Sequence, residues 1–369
     1  MQLLNTKEWG VRAYISERRR LTVLVLMTVS LVLAYGVIAS PACADQKPPV
    51  TIDQMMAHLG FDRSFKKALL EGKILSTGMP EMETLSEELA VAAVMLVVKA
   101  PMHKVVAAYL DGESFRQNSD IMEYKLIRRG SRGGGEIEED FEPVGYTARE
   151  SSEVEKLIAF NGGDTFNLSE DEIKQFEVIG QKDSNVRDKV SLVLRRVLME
   201  RYRSYLTRGL DAVKPYERSK DKRSYPGREL TDAVSSTKLL ENHFPGFYQS
   251  LLKYPEEPGH GVKNEFYWFK NLLNNRPTFQ LSHYMTDIRG HYGIVAELQF
   301  YVEHTYNSMF TLIGCVPFEN GTVVFCANRT FTVHVAGFGS SLKRSIGRRR
   351  IEDAVSDHFA KLRNVLESN

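Results

Sequence analysis

The feature that most limits what this chain can become is the alternation of apolar and polar residues between Glu265 and Val335. Ile294, Ala296, Leu298, Phe300, Val302, Tyr306, Phe310 and Leu312 fall on one parity. Successive strand side chains point to opposite faces, so the pattern predicts a sheet with one buried face. Strands are expected from Glu265 to Lys270, Thr278 to Asp287, Gly293 to Gly314 and Thr322 to Val335, the third long enough to bend or split. Gly337 and Gly339 close this region. The period then changes, and Leu342, Ile346, Ile351, Ala354, Val355, Phe359, Leu362 and Leu366 mark a long C-terminal amphipathic helix.

Within the alternating block lies "CVPFENGTVVFC", Cys315 to Cys326. Asn-Gly is a strong hairpin signal, because both residues tolerate positive φ. With Asn320-Gly321 as the turn, Cys315 and Cys326 face each other. Pro317 would then stand at a hydrogen-bonded site, where proline has no proton to donate. A longer turn beginning at Pro317 keeps the pairing and removes that conflict. A Cys315–Cys326 disulfide is therefore expected, with two small buried hydrophobes as the alternative.

Upstream, Leu89 to Val98 reads as a strand, Pro101 opens a helix that Gly112 ends, and Asp120 to Arg129 reads as the next strand. Two short helices, about Ile52 to His58 and Arg63 to Leu70, precede them as packing elements. Gly130 to Asp140 reads as a flexible acidic loop; its glycines lack the Gly-Lys-Ser/Thr that would cradle a phosphate. Ser169 and Glu172 form a capping box. Val186, Val190, Val193, Val197, Tyr202 and Tyr205 predict a helix of about 25 residues, with Arg187, Arg195, Arg201 and Arg208 on its solvated side. Lys214 to Gly227 reads as a polar linker. A helical region follows from about Glu229 to Tyr254, broken near Pro245.

The N-terminus stands apart. Arg18, Arg19 and Arg20 precede an uncharged run from Leu21 to Ala39, and Ala42-Cys43-Ala44 follows. This order predicts an export signal over residues 1–44, with an uncleaved anchor as the rival reading. The expected location is exported, periplasmic or tethered to the outer face of the inner membrane. The 48 Lys and Arg against 47 Asp and Glu argue against a nucleic-acid partner. No Gly-x-Ser-x-Gly or His-Glu-x-x-His is present, so no catalytic residue, metal or cofactor is assigned.

Without its helical middle, the order is strand, helix, strand, several antiparallel strands and a long terminal helix. The stretch "VVKAPMHKVVAAYLDGESFRQNSDIMEYKLI" resembles the opening of START-like (helix-grip, SRPBCC-type) domains. The "HTY... ANRTF... GFGSSLKRSIGRRR" region resembles the closing strands and helix of a family of uncharacterised bacterial exported proteins. The resemblance implies an α+β fold in which a curved antiparallel sheet grips the terminal helix around a cavity. Residues 45–149 and 256–369 would form the domain, and 150–255 a helical insertion. It also implies a ligand class of lipids, sterols, quinones or polyketides.

The candidate ligand-binding residues are polar or aromatic groups on apolar strand faces. His283 shares parity with Phe279, Leu281 and Met285; His304 with Phe300, Val302 and Tyr306; Arg329 with Phe325, Phe331 and Val333. Facing a cavity, two imidazoles and a guanidinium could anchor a carboxylate, phosphate or hydroxyl head. Trp268 could rim the cavity. Taken singly, each histidine reads as a satisfied core residue, Trp268 as core packing, and Arg329 as a snorkelling surface residue. Arg344, Arg348, Arg349 and Arg350 could touch a membrane surface, against a solvated face balanced by Glu352, Asp353 and Asp357. The expected function is an exported binding or carrier protein for an apolar or lipid-like ligand. The alternatives are an envelope assembly protein docking through its insertion, or an enzyme using His283 or His304 as acid–base.

Overall fold

The computed structural model describes residues 48–79, 85–110, 118–128, 135–180, 185–219, 222–256, 258–336 and 340–368. Residues 1–44, expected to be an export signal, and the glycines at 337 and 339 lie outside the described residues. Among the described residues no helix is long and apolar enough to cross a membrane.

In chain order, α1 spans Ile52–His58, α2 Lys66–Leu70, β1 Leu75–Gly78, β2 Leu89–Val98, α3 Met102–Leu110 and β3 Ile121–Ile127. The helical middle follows: α4 Gly135–Phe141, α5 Ser151–Ile158, α6 Glu170–Glu177 and α7 Val186–Arg208. A two-residue hairpin, β4 Tyr216–Glu217 with β5 Arg223–Ser224, leads to α8 Pro226–Ser235, α9 Lys238–His243 and α10 Pro245–Leu252. The rest is β6 Lys263–Leu273, β7 Arg276–Arg289, β8 Tyr292–Val302, β9 Ser308–Phe318, β10 Gly321–Phe331 and the terminal helix α11 Ser340–Ser368.

The architecture is α+β. Eight antiparallel strands form one open sheet in the order β1-β2-β10-β9-β8-β7-β6-β3. Its two faces have different covers. One face carries Val91, Phe325, Phe310, Leu298, Met285 and Phe266, which pack beneath the helical middle in the main core. The stacking of Tyr205 of α7 on Phe300, with centroids 4.0 Å apart, is one such contact. The other face carries Val94, Leu96 and Val98, packed against α3 and against Phe359 of α11.

Several elements differ from the sequence reading. The long third strand splits: the side-chain amide of Asn167 donates to the carbonyls of Val302 and Tyr306, both at 2.7 Å, and fills the break. The acidic loop is helical from Gly135 because Asp140, 1% exposed, is drawn inward to accept from the Arg128 backbone N–H at 2.7 Å. The polar linker holds buried Tyr216, Arg218 and Ser224. Arg201 leaves the solvated side of α7: it is 5% exposed and pairs with Glu172 at 2.5 Å.

The hairpin register also differs. Gly321 pairs with Phe318, so the turn residues are Glu319 and Asn320. Pro317 sits opposite Thr322, one step from the closing pair. Antiparallel pairs alternate between bonded and non-bonded sites, so this register gives proline a site that asks for no donor. Cys315 then faces Val324, and Cys326 faces Ile313. The two cysteines are diagonal neighbours, about 7–8 Å apart in Cα against the roughly 4.4–6.8 Å a disulfide spans. Both are free, buried thiols, which corrects the expected bridge to its alternative.

Candidate functional site

Arg329 is the residue on which a site can be built. β10 is a central strand, and Arg329 points to the face under the helical middle, between Phe310 on β9 and Val91 on β2. It is 2% exposed, so the snorkelling expectation does not hold. Its Cζ lies 5.6 Å from the centroid of the Phe310 ring. Among the described residues, Nε and Nη1 have no hydrogen-bond partner. Burial alone lowers the guanidinium pKa to about 10. A buried cation without a counter-ion is costly unless something satisfies it.

The guanidinium borders a cavity of about 360 Å³. The cavity lies where α1, the start of α9 and strands β9 and β10 meet. Its polar lining is Arg329, His58, Lys238, Ser236 and Thr237. Leu59, Met79, Leu239, Leu312 and Ala327 supply the apolar walls. Lys238 stands at the mouth, with Nζ 2.6 Å from Glu241. His58 Nε2 lies 3.2 Å from His243 Nε2, and His243 Nδ1 lies 3.0 Å from the Pro49 carbonyl. A carbonyl only accepts, so His243 carries its proton on Nδ1 and His58 donates to the open Nε2. Burial and the charge of His243 lower the pKa of His58. The set offers cationic and hydroxyl donors at one end and hydrocarbon along the sides, a surface for an anionic head on an apolar body.

The other residues singled out from the sequence do not join this cavity. His283 is fully buried in an aromatic cage, its Nδ1 3.0 Å from Tyr205 Oη and its Nε2 2.7 Å from Asn264 Oδ1. It stacks on Phe266 at 4.4 Å. His304 is buried elsewhere, held by Thr278, Thr305 and the Pro277 carbonyl at 2.9, 2.7 and 3.1 Å. Its parity argument fails because the register of β7 against β8 shifts between Leu281 and Ser282, a bulge on β8. Trp268 is fully buried and donates from Nε1 to the Asp140 carbonyl at 2.7 Å. The two imidazoles thus occupy separate packed places.

Sequence reasoning missed His58, on a short helix read as a packing element, and Ser236, Thr237 and Lys238, which fall at the break between α8 and α9 inside a stretch read as one helical region from about Glu229 to Tyr254. It also missed a polar run on the opposite face, the side on which α11 packs. There Glu297 accepts from Ser282 Oγ at 3.0 Å and Gln299 Nε2 at 2.9 Å. Tyr306 donates to Gln299, and Gln280 donates to Tyr306 at 2.9 Å. Burial raises the Glu297 pKa, and no cation among the described residues offsets it. The alternation of β7 and β8 is the signal that could have located this run, since Gln280 and Ser282 on β7, and Glu297 and Gln299 on β8, are polar residues two apart.

Compared with known proteins, the chain matches no family model, no curated protein and no solved structure.

Proposed function

We propose that this chain is an exported binding or carrier protein for a small amphiphile, whose anionic head pairs with Arg329 and whose apolar body fills the adjoining cavity. The observation that carries this reading is the buried guanidinium on the wall of a 360 Å³ cavity, whose Nε and Nη1 have no hydrogen-bond partner among the described residues. A carboxylate or phosphate oxygen there would satisfy Nε and Nη1 together, and a charge-assisted bond to a buried guanidinium is strong. Protonation of His58 would add a further positive charge to the lining that Arg329 and Lys238 share. The cavity size suits a short chain or a single ring system rather than a whole diacyl lipid.

A second reading is favoured by the Glu297 run. The helix-grip resemblance implies a ligand between a curved sheet and the terminal helix, and Glu297, Gln299 and Ser282 lie on that face. A ligand there would be polar, meeting a carboxyl and amides rather than a cation.

Calorimetric titration with octanoate separates the two. Arg329→Met is expected to lose binding by more than tenfold, while Glu297→Gln binds as the parent does. Unchanged binding by Arg329→Met with loss in Glu297→Gln would transfer the site to the other face. Unchanged binding in both, or none in the parent, would remove the Arg329 reading.

A further inference from the structure

The first turns of α11 carry a surface that the cavity does not explain. By sequence, Leu342 and Ile346 continue the apolar stripe of Val355, Phe359 and Leu362. In the structure they do not. Phe359 and Leu362 are buried, whereas Leu342 is 69% and Ile346 48% exposed. The step from Ile346 to Ile351 is five residues, which turns the stripe by about 140° on a helix of 3.6 residues per turn. The apolar residues of the first two turns therefore face away from the sheet.

What surrounds them is basic. Leu342, Ile346, Arg349 and Asp353 follow at i, i+4, i+7 and i+11 along one outer stripe. Lys343 and Arg350 lie beside it, and both are exposed, as is Arg349; Lys343 also donates from Nζ to the Ala336 carbonyl at 3.2 Å. The remaining arginines are engaged inward. Arg344 donates to the Glu87 carbonyl at 3.3 Å, and Arg348 lies 3.8 Å from Glu352 and against Gly78. The sequence-based group of four arginines thus reduces to Arg349 and Arg350, joined by Lys343. The first acid on the outer stripe is Asp353, so the favourable surface ends after about two and a half turns.

We infer that this end of α11 docks on an anionic lipid bilayer, with Leu342 and Ile346 entering the headgroup boundary and Lys343, Arg349 and Arg350 pairing with lipid phosphates. Basic residues alone would suit any polyanion. Two exposed aliphatic side chains among them gain nothing from nucleic acid and gain by leaving water at a membrane surface. The Asp353 and Asp357 carboxylates further along would be repelled, so the helix would meet the bilayer end-on rather than lie flat. The inference is independent of the Arg329 cavity.

The test reads the patch itself in the full chain. With Cys43→Ser, Ile346→Cys is labelled with an environment-sensitive fluorophore; Cys315 and Cys326 are buried. Vesicles of phosphatidylserine and phosphatidylcholine are compared with phosphatidylcholine alone. The expected result is a blue shift and quenching by lipid-borne quencher with the anionic vesicles only. Arg349→Gln/Arg350→Gln should raise the anionic lipid needed for half the signal by about 25-fold, roughly fivefold per charge. A label that stays open to aqueous iodide with both vesicle types overturns the inference. So does a label that responds to double-stranded DNA but not to anionic vesicles, or a response that the double variant leaves unchanged.

Discussion

Arg329 and His283 stand on one rung of the sheet, three strands apart, with Phe310 and Leu298 between them. The rung continues through Phe266 on β6 and Val91 on β2. Neighbouring strands lie about 4.8 Å apart, so the two polar groups are about 14 Å from each other. They share a face, as their parity required, yet two apolar side chains keep them from sharing a site.

Arg329→Met tests the energetic side of that separation. Methionine matches the length of the arginine stem, and it removes a buried cation that no carboxylate among the described residues offsets. The ligand-free protein should become more stable by about 1–4 kcal/mol, as when buried charge is replaced by packed hydrocarbon. Urea denaturation reads this as a higher midpoint at unchanged slope. A lower midpoint would mean that the guanidinium has a partner in solution, and the cavity would lose its anchor.

His283→Phe tests the other end of the rung. The ring keeps its stacking on Phe266, but Tyr205 and Asn264 each lose a hydrogen-bond partner. The expected cost is about 1–3 kcal/mol of stability, with octanoate affinity unchanged. A variant that folds normally and loses octanoate would bring His283 back into the site.

How far the sequence could be read follows from what each signal depends on. The limits of β2 and α1 and the capping box of α6 were legible because local periodicity and capping settle them. The burial of Arg201 was not, because its Glu172 partner lies on another helix and helical spacing alone placed it outward. His304 failed for a different reason: parity holds only while the register does, and one bulged residue reverses it. The cavity was half visible. Arg329 stood out as a cation on an apolar face, but His58 and Lys238 reach it through the packing of α1 and α9, which no spacing along the chain records.

His304 gives the fold a pH dependence of known sign. Burial first, and the nearby Arg276 charge second, lower its pKa to about 4 from an ordinary value of 6.5. The unfolded chain therefore binds the proton more readily between those values, and stability falls as pH falls from about 6.5 to about 4. The full contribution is about 3 kcal/mol. Glu229 and Glu303, raised to about 7 by burial, act in the opposite sense and lose stability as pH rises from 4.5 towards 7. The difference between the parent and His304→Gln isolates the imidazole: the parent's advantage should shrink by about 3 kcal/mol from pH 7 to pH 4. A difference that stays flat with pH would mean that His304 takes up its proton in the fold as readily as in the unfolded chain.

The hairpin between β9 and β10 offers the sharpest check on register. Glu319 has a φ of 48°, a left-handed conformation in a residue with a side chain. Glu319→Gly should relieve strain and stabilise the protein by about 1 kcal/mol. Gly321 serves a different purpose from the one its Asn-Gly setting suggests: a Cβ there would meet the Val98 carbonyl at 2.5 Å, so Gly321→Ala should destabilise. The same register keeps the thiols apart, and burial pushes both Cys315 and Cys326 up to about 12. In native protein exposed to iodoacetamide at pH 8, neither should alkylate, and after denaturation both should. Recovery of a Cys315–Cys326 linked peptide from protein made in an oxidising compartment would restore the register in which Asn320 and Gly321 form the turn, and with it a stabilising effect confined to that turn rather than to Glu319.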